Sequence, residues 1–169
     1  MEPDATERQE KPAKSKWRGI IIGVCIALIV VYWFAWLRTY AMERAMRQKC
    51  LSNLYALGSA CKMYEMDHPG QFPTNWFCFK DYYSNPCLLR CPSRPERYGT
   101  LANVDTWSDY ILVPNLTTND PPKTILAYEP LRNHKEGGNV LYLDGSVYWL
   151  SADEYGKLKT KSGKVLSGE

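Results

Sequence analysis

The stretch GIIIGVCIALIVVYWFAWL occupies residues 19–37 and contains no charged residue. At about 1.5 Å per residue, a helix of this length covers roughly 28 Å, close to the hydrocarbon thickness of a bilayer. Trp17 lies before the stretch, and Tyr32, Trp33 and Trp36 lie near its other end. Such rings favour membrane interfaces because they are apolar but carry one polar group. The pattern predicts a single transmembrane helix over residues 19–37, with the lipid bilayer as its partner.

A buried helix and a cleaved secretory signal are both less favoured for this stretch. A buried helix of a soluble protein would need a larger core than a 169-residue chain supplies. A cleaved secretory signal would have a shorter apolar run and an A-x-A-like site after it. The mean hydropathy of the whole chain is −0.40, which fits one apolar segment in an otherwise polar protein.

The positions of the basic residues and of the cysteines indicate which side of the membrane each part of the chain occupies. Basic residues flank the span on both sides, so their count barely decides the orientation. Five of the six cysteines follow the span, and disulfides form in oxidising compartments. We therefore expect a single-pass protein of the inner (cytoplasmic) membrane. Residues 1–18 would form a disordered cytoplasmic tail, and the C-terminal domain would be periplasmic or otherwise extracytoplasmic. The basic residues are scattered, so no nucleic acid is expected as a partner.

The helix is predicted to continue beyond the membrane. Residues 38–68 contain no proline and are rich in good helix formers. Apolar residues recur at steps of four and three, which places them on one helical face: Cys50, Leu54, Leu57, Cys61 and Tyr64. The helix should therefore run over about residues 19–66. Cys50 and Cys61 lie about 16 Å apart along it, too far to bond each other, and are interpreted as buried core thiols.

Residues 69–158 are predicted to form a small α+β domain. A strand is expected over 124–128, and a hairpin with strands 139–143 and 146–150 turns at Asp144-Gly145. Ser151 and Glu154 predict a capping box that starts a short helix. Residues 159–169 are expected to be a flexible tail. The fold class is α+β, with a long N-terminal helix packed on a small antiparallel sheet.

Four aromatic residues of this region fit either an exposed binding face or the core of the sheet domain: Tyr82, Tyr83, Trp107 and Tyr110.

Cys78, Cys87 and Cys91 fall close together in the sequence. A disulfide between Cys91 and either of the other two is expected, and the sequence does not choose between them. Zinc is disfavoured because a fourth ligand is not evident and the spacing is not that of paired C-x-x-C sites. Calcium is a minor alternative whose candidate oxygens are dispersed: Asp105, Asp109, Asn119, Asp120, Glu129 and Asp144. We expect no cofactor and no metal.

His134, with Glu136 and Asp144 near it in the sequence, could bind a cation or act as a base. The sequence shows no nucleophile motif beside it, so no catalytic residue is assigned and the chain is not expected to be an enzyme. The favoured interpretation is structural: His134 would hydrogen-bond the turn at Asp144-Gly145 or a backbone carbonyl. Gly137 and Gly138 would allow a backbone conformation that other residues resist.

The order of these pieces resembles a known family. An apolar N-terminal helix, its amphipathic extension and a small sheet domain are the layout of type IV pilins and type II secretion pseudopilins. NHKEGGNVLYLDG at residues 133–145 is similar to the signature of pilin-like H-x9-DG proteins, whose domain is often called DUF1559. Three further segments resemble that family in the same order: CLSNLYALG at 50–58, YEMDHPGQFP at 64–73 and LRCPS at 89–93.

This resemblance implies a structural or accessory subunit of a type II secretion or type IV pilus-like assembly. Its partners would be other pilin-like subunits or secretion-system components. The chain departs from the pilin pattern at one place. If Gly19 preceded a processing site, Ile20 would be the first mature residue, and Val24 would stand where pilins keep a Glu. The alternative is therefore an uncleaved membrane-anchored binding module that does not enter a filament.

Overall fold

The computed structural model describes residues 14–83, 85–94, 99–134 and 136–166. Helix α1 runs over Lys14–Asp67, so the predicted long helix is confirmed and begins a few residues earlier than expected. Residues 1–13 of the predicted tail lie outside the described residues.

The chain divides into two compact units, Met1–Met42 and Glu43–Glu169. In the first unit, the large apolar side chains of α1 are exposed, from Val30 at 47% to Tyr32 at 71%. Within the described residues, α1 is the one helix long and apolar enough to cross a membrane, and the apolar window is not buried at all. Length and composition thus agree with the predicted span.

In the second unit, α1 contributes one face to the core. Cys50, Leu54, Leu57 and Cys61 are fully buried, as the predicted seam requires. Gly58 lies on the same stretch, where a Cβ would approach the Leu141 side chain to 2.8 Å, so the helix packs closely on the sheet at this point. The helix ends before Gly70, whose φ of +86° turns the chain away.

The sheet is an antiparallel meander in the order β1-β2-β3-β4. Strand β1 is Ile111–Leu112, β2 is Ile125–Tyr128, β3 is Gly137–Tyr142 and β4 is Val147–Ser151. Leu141 pairs with Val147 at the turn between β3 and β4, where Gly145 has φ of +83°. The predicted hairpin and the α+β class are confirmed.

Short helical elements complete the second unit. Two 3-10 helices cover Pro86–Leu89 and Leu101–Asn103, α2 covers Val104–Trp107 and α3 covers Ala152–Tyr155. The predicted capping box is present, because the Ser151 side chain accepts from Glu154 N and the Glu154 side chain accepts from Ser151 N.

The end of the described chain differs from the expected flexible tail. Lys159 forms a bridge with Val165, and Leu166 is only 1% exposed. An apolar side chain at Leu166 anchors this segment in the core; residues 167–169 lie outside the described residues. Of the four aromatic residues with two interpretations, Tyr83, Trp107 and Tyr110 are buried core residues and Tyr82 packs against the core.

Candidate metal centre

Four potential metal ligands converge inside the second unit: Cys50, Cys91, Glu129 and His134. All four residues are at least 98% buried, and their ligand atoms lie within 4.8 Å of one another. Cys50 comes from α1, Cys91 follows the first 3-10 helix, Glu129 directly follows β2, and His134 lies in the loop before β3. The meander and the helix thus bring together residues far apart in the sequence.

The distances within this group are short. The two sulfurs lie 3.3 Å apart. His134 Nε2 lies 3.6 Å from Cys50 Sγ, 3.5 Å from Cys91 Sγ and 3.3 Å from Glu129 Oε1. Nε2 therefore faces all three other groups.

Local backbone contacts fix two of the ligands. Cys91 N donates to Asp109 Oδ2 at 2.9 Å, which holds the loop carrying this thiol. Glu129 N donates to Asn139 O at 2.9 Å, which extends the pairing of β2 with β3 by one residue. A Cβ on Gly138 would lie 2.6 Å from Glu129 O, so the close approach of the two strands beside Glu129 requires glycine there.

The second ring nitrogen of His134 has its own partner. Nδ1 lies 2.6 Å from Glu43 Oε1. Glu43 Oε1 also lies 3.4 Å from Arg47 Nε, and Arg47 in turn pairs with Glu136 and covers the Trp149 ring at 4.6 Å. This chain of contacts fixes the imidazole so that Nε2 points at the sulfurs.

Glu129 is oriented by two amides. Asn139 Nδ2 donates to Oε2 at 2.9 Å, and Asn133 Nδ2 donates to Oε1 at 3.4 Å. A fully buried carboxylate is costly unless it is paired and hydrogen-bonded, and these contacts supply both conditions together with His134.

Burial and proximity shift the pKa values of the group. Burial lowers the pKa of His134, but the contacts with Cys91 and Glu129 outweigh it and raise this pKa to about 10. The hydrogen bond from Cys50 lowers the pKa of the Cys91 thiol to about 6, against the opposing effect of burial. That hydrogen bond and burial raise the pKa of Cys50. Burial alone would raise the pKa of Glu129, but the His134 contacts lower it. These directions favour the charged forms of Cys91, His134 and Glu129 and the protonated thiol of Cys50.

The arrangement of Cys91, His134 and Glu43 also satisfies the order nucleophile, base and orienting carboxylate. Burial argues against catalysis by this set. Cys91 is 1% exposed and His134 2%, so a substrate has no approach to the sulfur.

His134 does not contact the turn at Asp144-Gly145, which is one of the two structural partners that the sequence predicts for it, and its ring nitrogens face side chains instead. Asp144 pairs with Lys123 Nζ at 2.8 Å and accepts from Ser146, while Glu136 pairs with Arg47. The Asp144 side chain and backbone N–H thus have partners at Lys123, Ser146 and Pro122, and His134 contacts Glu43 of α1 instead.

Gly137 and Gly138 also differ from the expectation. Neither has a positive φ; both lie in β3, where a Cβ would meet backbone at 2.1 and 2.6 Å. The two positions need glycine because neighbouring chain segments approach closely, rather than because the backbone is unusual.

The cysteines are distributed differently from the expected pairing. Cys78 and Cys87 are exposed, whereas Cys91 is buried beside Cys50. The 3-10 helix Pro86–Leu89 separates the two environments over four residues, so closeness in sequence does not mean a shared site.

The oxygens considered for calcium have separate partners. Asp105 accepts from Trp76 N, Asp120 from Thr117 N and Lys161 Nζ, and Asp144 from Ser146 N. Within the described residues, Glu129 alone among these candidates belongs to the convergent ligand group, with two thiols and an imidazole.

Sequence reasoning did not place Cys50, Glu129 or Glu43 in this candidate centre. The helical spacing of Cys50 places it in the core, which is correct but incomplete. Along the chain the four candidate ligands are separated by 41, 38 and 5 residues. Only the last separation is short, so the sequence contains no recognisable metal-binding motif.

Comparisons with protein-family models, curated proteins and solved structures found no match to this chain.

Proposed function

We propose that the chain is a membrane-anchored, non-enzymatic pilin-like or pseudopilin-like subunit of a type II secretion or type IV pilus-like assembly. One observation carries the proposal: α1 exposes apolar side chains over residues 19–37 and buries an apolar seam from Cys50 to Cys61. A single helix thus supplies both a lateral apolar surface and a core element of an α+β unit.

The proposed location is the inner membrane, with the N-terminus inside and the second unit extracytoplasmic. The exposed apolar surface of α1 would pack against lipid or against the helices of like subunits. Trp33 and Phe34, at 64% and 66% exposure, are suited to either neighbour.

The absence of a Glu at position 24 favours a second candidate. Val24 offers no carboxylate to pair with the N-terminal amine of a neighbouring subunit, and it is 53% exposed. An uncleaved membrane-anchored extracytoplasmic binding module needs no such pairing. N-terminal sequencing of the mature chain separates the candidates, since Ile20 as first residue indicates pilin-like processing and an intact start indicates a permanent anchor.

Site-specific photo-crosslinking in the native host tests the assembly directly. A photoreactive residue would replace exposed residues one at a time: Ile22, Ile26, Ile29, Trp33 and Trp36. These positions recur at steps of four and three along one helical face, and the assembly proposal expects discrete protein adducts from them. The matched control is Tyr55, which is 59% exposed on the same helix within the second unit. Lipid adducts alone from every apolar position would refute lateral packing.

A further inference from the structure

We propose that Cys50, Cys91, Glu129 and His134 bind one zinc ion in a closed tetrahedral site that fastens α1 to the sheet. The ligands would be the two Sγ atoms, a Glu129 carboxylate oxygen and His134 Nε2. This inference concerns the second unit alone and stands whether or not the chain enters an assembly.

The geometry of the donor atoms carries the inference. Tetrahedral zinc, with Zn–S near 2.3 Å and Zn–N near 2.0–2.1 Å, separates two sulfurs by about 3.8 Å and a sulfur and a nitrogen by about 3.6 Å. A nitrogen and a carboxylate oxygen would lie about 3.3 Å apart. The corresponding distances here are 3.3 Å for the sulfurs, 3.6 and 3.5 Å for sulfur to nitrogen, and 3.3 Å for nitrogen to oxygen. Three of the four agree, and the sulfurs need to separate slightly.

The donor types select the class of ion. Two thiolates disfavour magnesium and calcium, which prefer oxygen ligands, and suit zinc together with an imidazole. Three anionic donors and one neutral imidazole around a divalent cation leave a small net charge. The same four groups without a cation would place two thiols, a carboxylate and a histidine together inside the protein, away from water, which is an expensive arrangement.

The surrounding contacts are those of a supported metal site. A zinc-bound histidine usually donates its other N–H to a carboxylate, and His134 Nδ1 lies 2.6 Å from Glu43. A ligating carboxylate is usually hydrogen-bonded in turn, and Asn139 donates to Glu129 Oε2 at 2.9 Å. Because Glu43 and Asn139 engage the far side of each ligand, His134 Nε2 and Glu129 Oε1 remain as the atoms that point into the group.

The site has the character of a structural centre. Four protein donors complete a tetrahedral shell, whereas catalytic zinc keeps one position for water or substrate. The donors come from α1, from the loop after Pro86–Leu89 and from both sides of the β2–β3 connection. Binding would therefore crosslink three parts of the second unit without making an active site.

A disulfide between Cys50 and Cys91 is the main rival. A disulfide has an S–S distance of about 2.05 Å, well below the 3.3 Å between these sulfurs. It would also give no reason for His134 and Glu129 to face the same point. An oxidising compartment would nevertheless favour a Cys50–Cys91 disulfide, so an experiment must exclude it.

The test measures zinc in the full-length chain, purified from membranes in detergent without chelators. One zinc per chain is expected from elemental analysis, and Cys91→Ser should lose it. Cys61→Ser and Cys78→Ser are matched controls, because Cys61 is an equally buried thiol of α1 and Cys78 an exposed one. Both controls should keep one zinc. Equal zinc in wild type and Cys91→Ser would overturn the assignment.

A second measurement avoids the risk that Cys91→Ser fails to fold. Cobalt(II) added to the chelator-stripped, reduced wild-type chain should give thiolate-to-cobalt charge-transfer bands and tetrahedral d–d bands that saturate at one equivalent. Zinc should abolish these bands, and His134→Cys should retain binding with a stronger charge-transfer band. No charge-transfer band in the wild type, or a Cys50–Cys91 disulfide in peptide maps of freshly isolated membranes, would overturn the proposal.

Discussion

Replacing Gly138 by alanine perturbs the place where β3 passes closest to Glu129. The added Cβ would lie 2.6 Å from Glu129 O and 2.9 Å from Tyr155 Cε2. The carbonyl is backbone and cannot rotate away, so the strands must separate by at least about half an ångström. That movement strains two hydrogen bonds to the Glu129 backbone: its N–H donates to Asn139 O at 2.9 Å, and its carbonyl accepts from Tyr155 Oη at 2.5 Å.

Overpacking a core costs about 1–3 kcal/mol, and a weakened hydrogen bond adds about 1 kcal/mol. Gly138→Ala should therefore lower the free energy of unfolding by about 2–4 kcal/mol. Pulse proteolysis in urea reports the folded fraction of the second unit independently of the apolar half of α1. The matched control is Gly145→Ala, where a Cβ meets nothing within 4 Å and the positive φ alone costs about 1–2 kcal/mol.

The two variants should differ in a second property. Gly138→Ala displaces the segment that carries Glu129 and should reduce the zinc content of the chain, whereas Gly145→Ala lies at the far end of the hairpin and should not. The reasoning is refuted if Gly138→Ala unfolds at the wild-type urea concentration, or if Gly145→Ala is the more destabilised variant of the pair.

Three other perturbations address the core and the zinc site. Leu57→Ala should cost about 2–5 kcal/mol because Leu57 is fully buried, and Met63→Ala, at 54% exposure on the same helix, should change stability by less than about 0.5 kcal/mol. Pulse proteolysis measures both, and equal losses would contradict the predicted packing of α1. Glu43→Gln should weaken zinc binding about 10–100-fold, because Glu43 orients His134. Competition with a chromophoric chelator measures the zinc affinity, and Asp153→Asn, at an exposed position, should leave this affinity unchanged. Removing zinc should lower the melting temperature of the second unit. The corresponding loss of stability is about 2.7 kcal/mol if free zinc had been at 100 times Kd. An unchanged melting temperature after addition of a chelator would count against a structural ion.

The parts of the fold that local physics determines are predictable from the sequence. An uncharged apolar run, a seam at steps of three and four, an Asp-Gly turn and a Ser-x-x-Glu capping box each specify their element within a few residues. The structure confirms α1, the β3–β4 hairpin and α3. Strand β1 has only two residues and owes its existence to pairing with β2, so no periodicity indicates it.

The candidate metal centre is not predictable in the same way. Its four candidate ligands meet only because β2 and β3 pair beside the buried face of α1. This arrangement depends on tertiary packing, which no local sequence pattern reports. Two other cysteines lie within thirteen residues of Cys91 and favour a local disulfide, yet the 3-10 helix before Cys91 directs this thiol inward. His134 likewise lies close in sequence to a turn that it does not contact. In both cases, closeness in sequence does not predict which residues a side chain contacts, because the direction of the side chain depends on the fold.

Several residues of the resembling segments meet at the candidate metal centre. Cys50, Cys91 and His134 belong to three separate segments of the H-x9-DG resemblance, and all three face one point in the core. Gly58, in the first of these segments, lets α1 approach Leu141 of the hairpin that turns at Gly145. The segments therefore act together to dock the helix on the sheet, and a zinc ion would hold that docking at its centre. A unit built on one long helix, four short strands and a few single-turn helices has a small core, and a closed metal site would stabilise such a core without enlarging it.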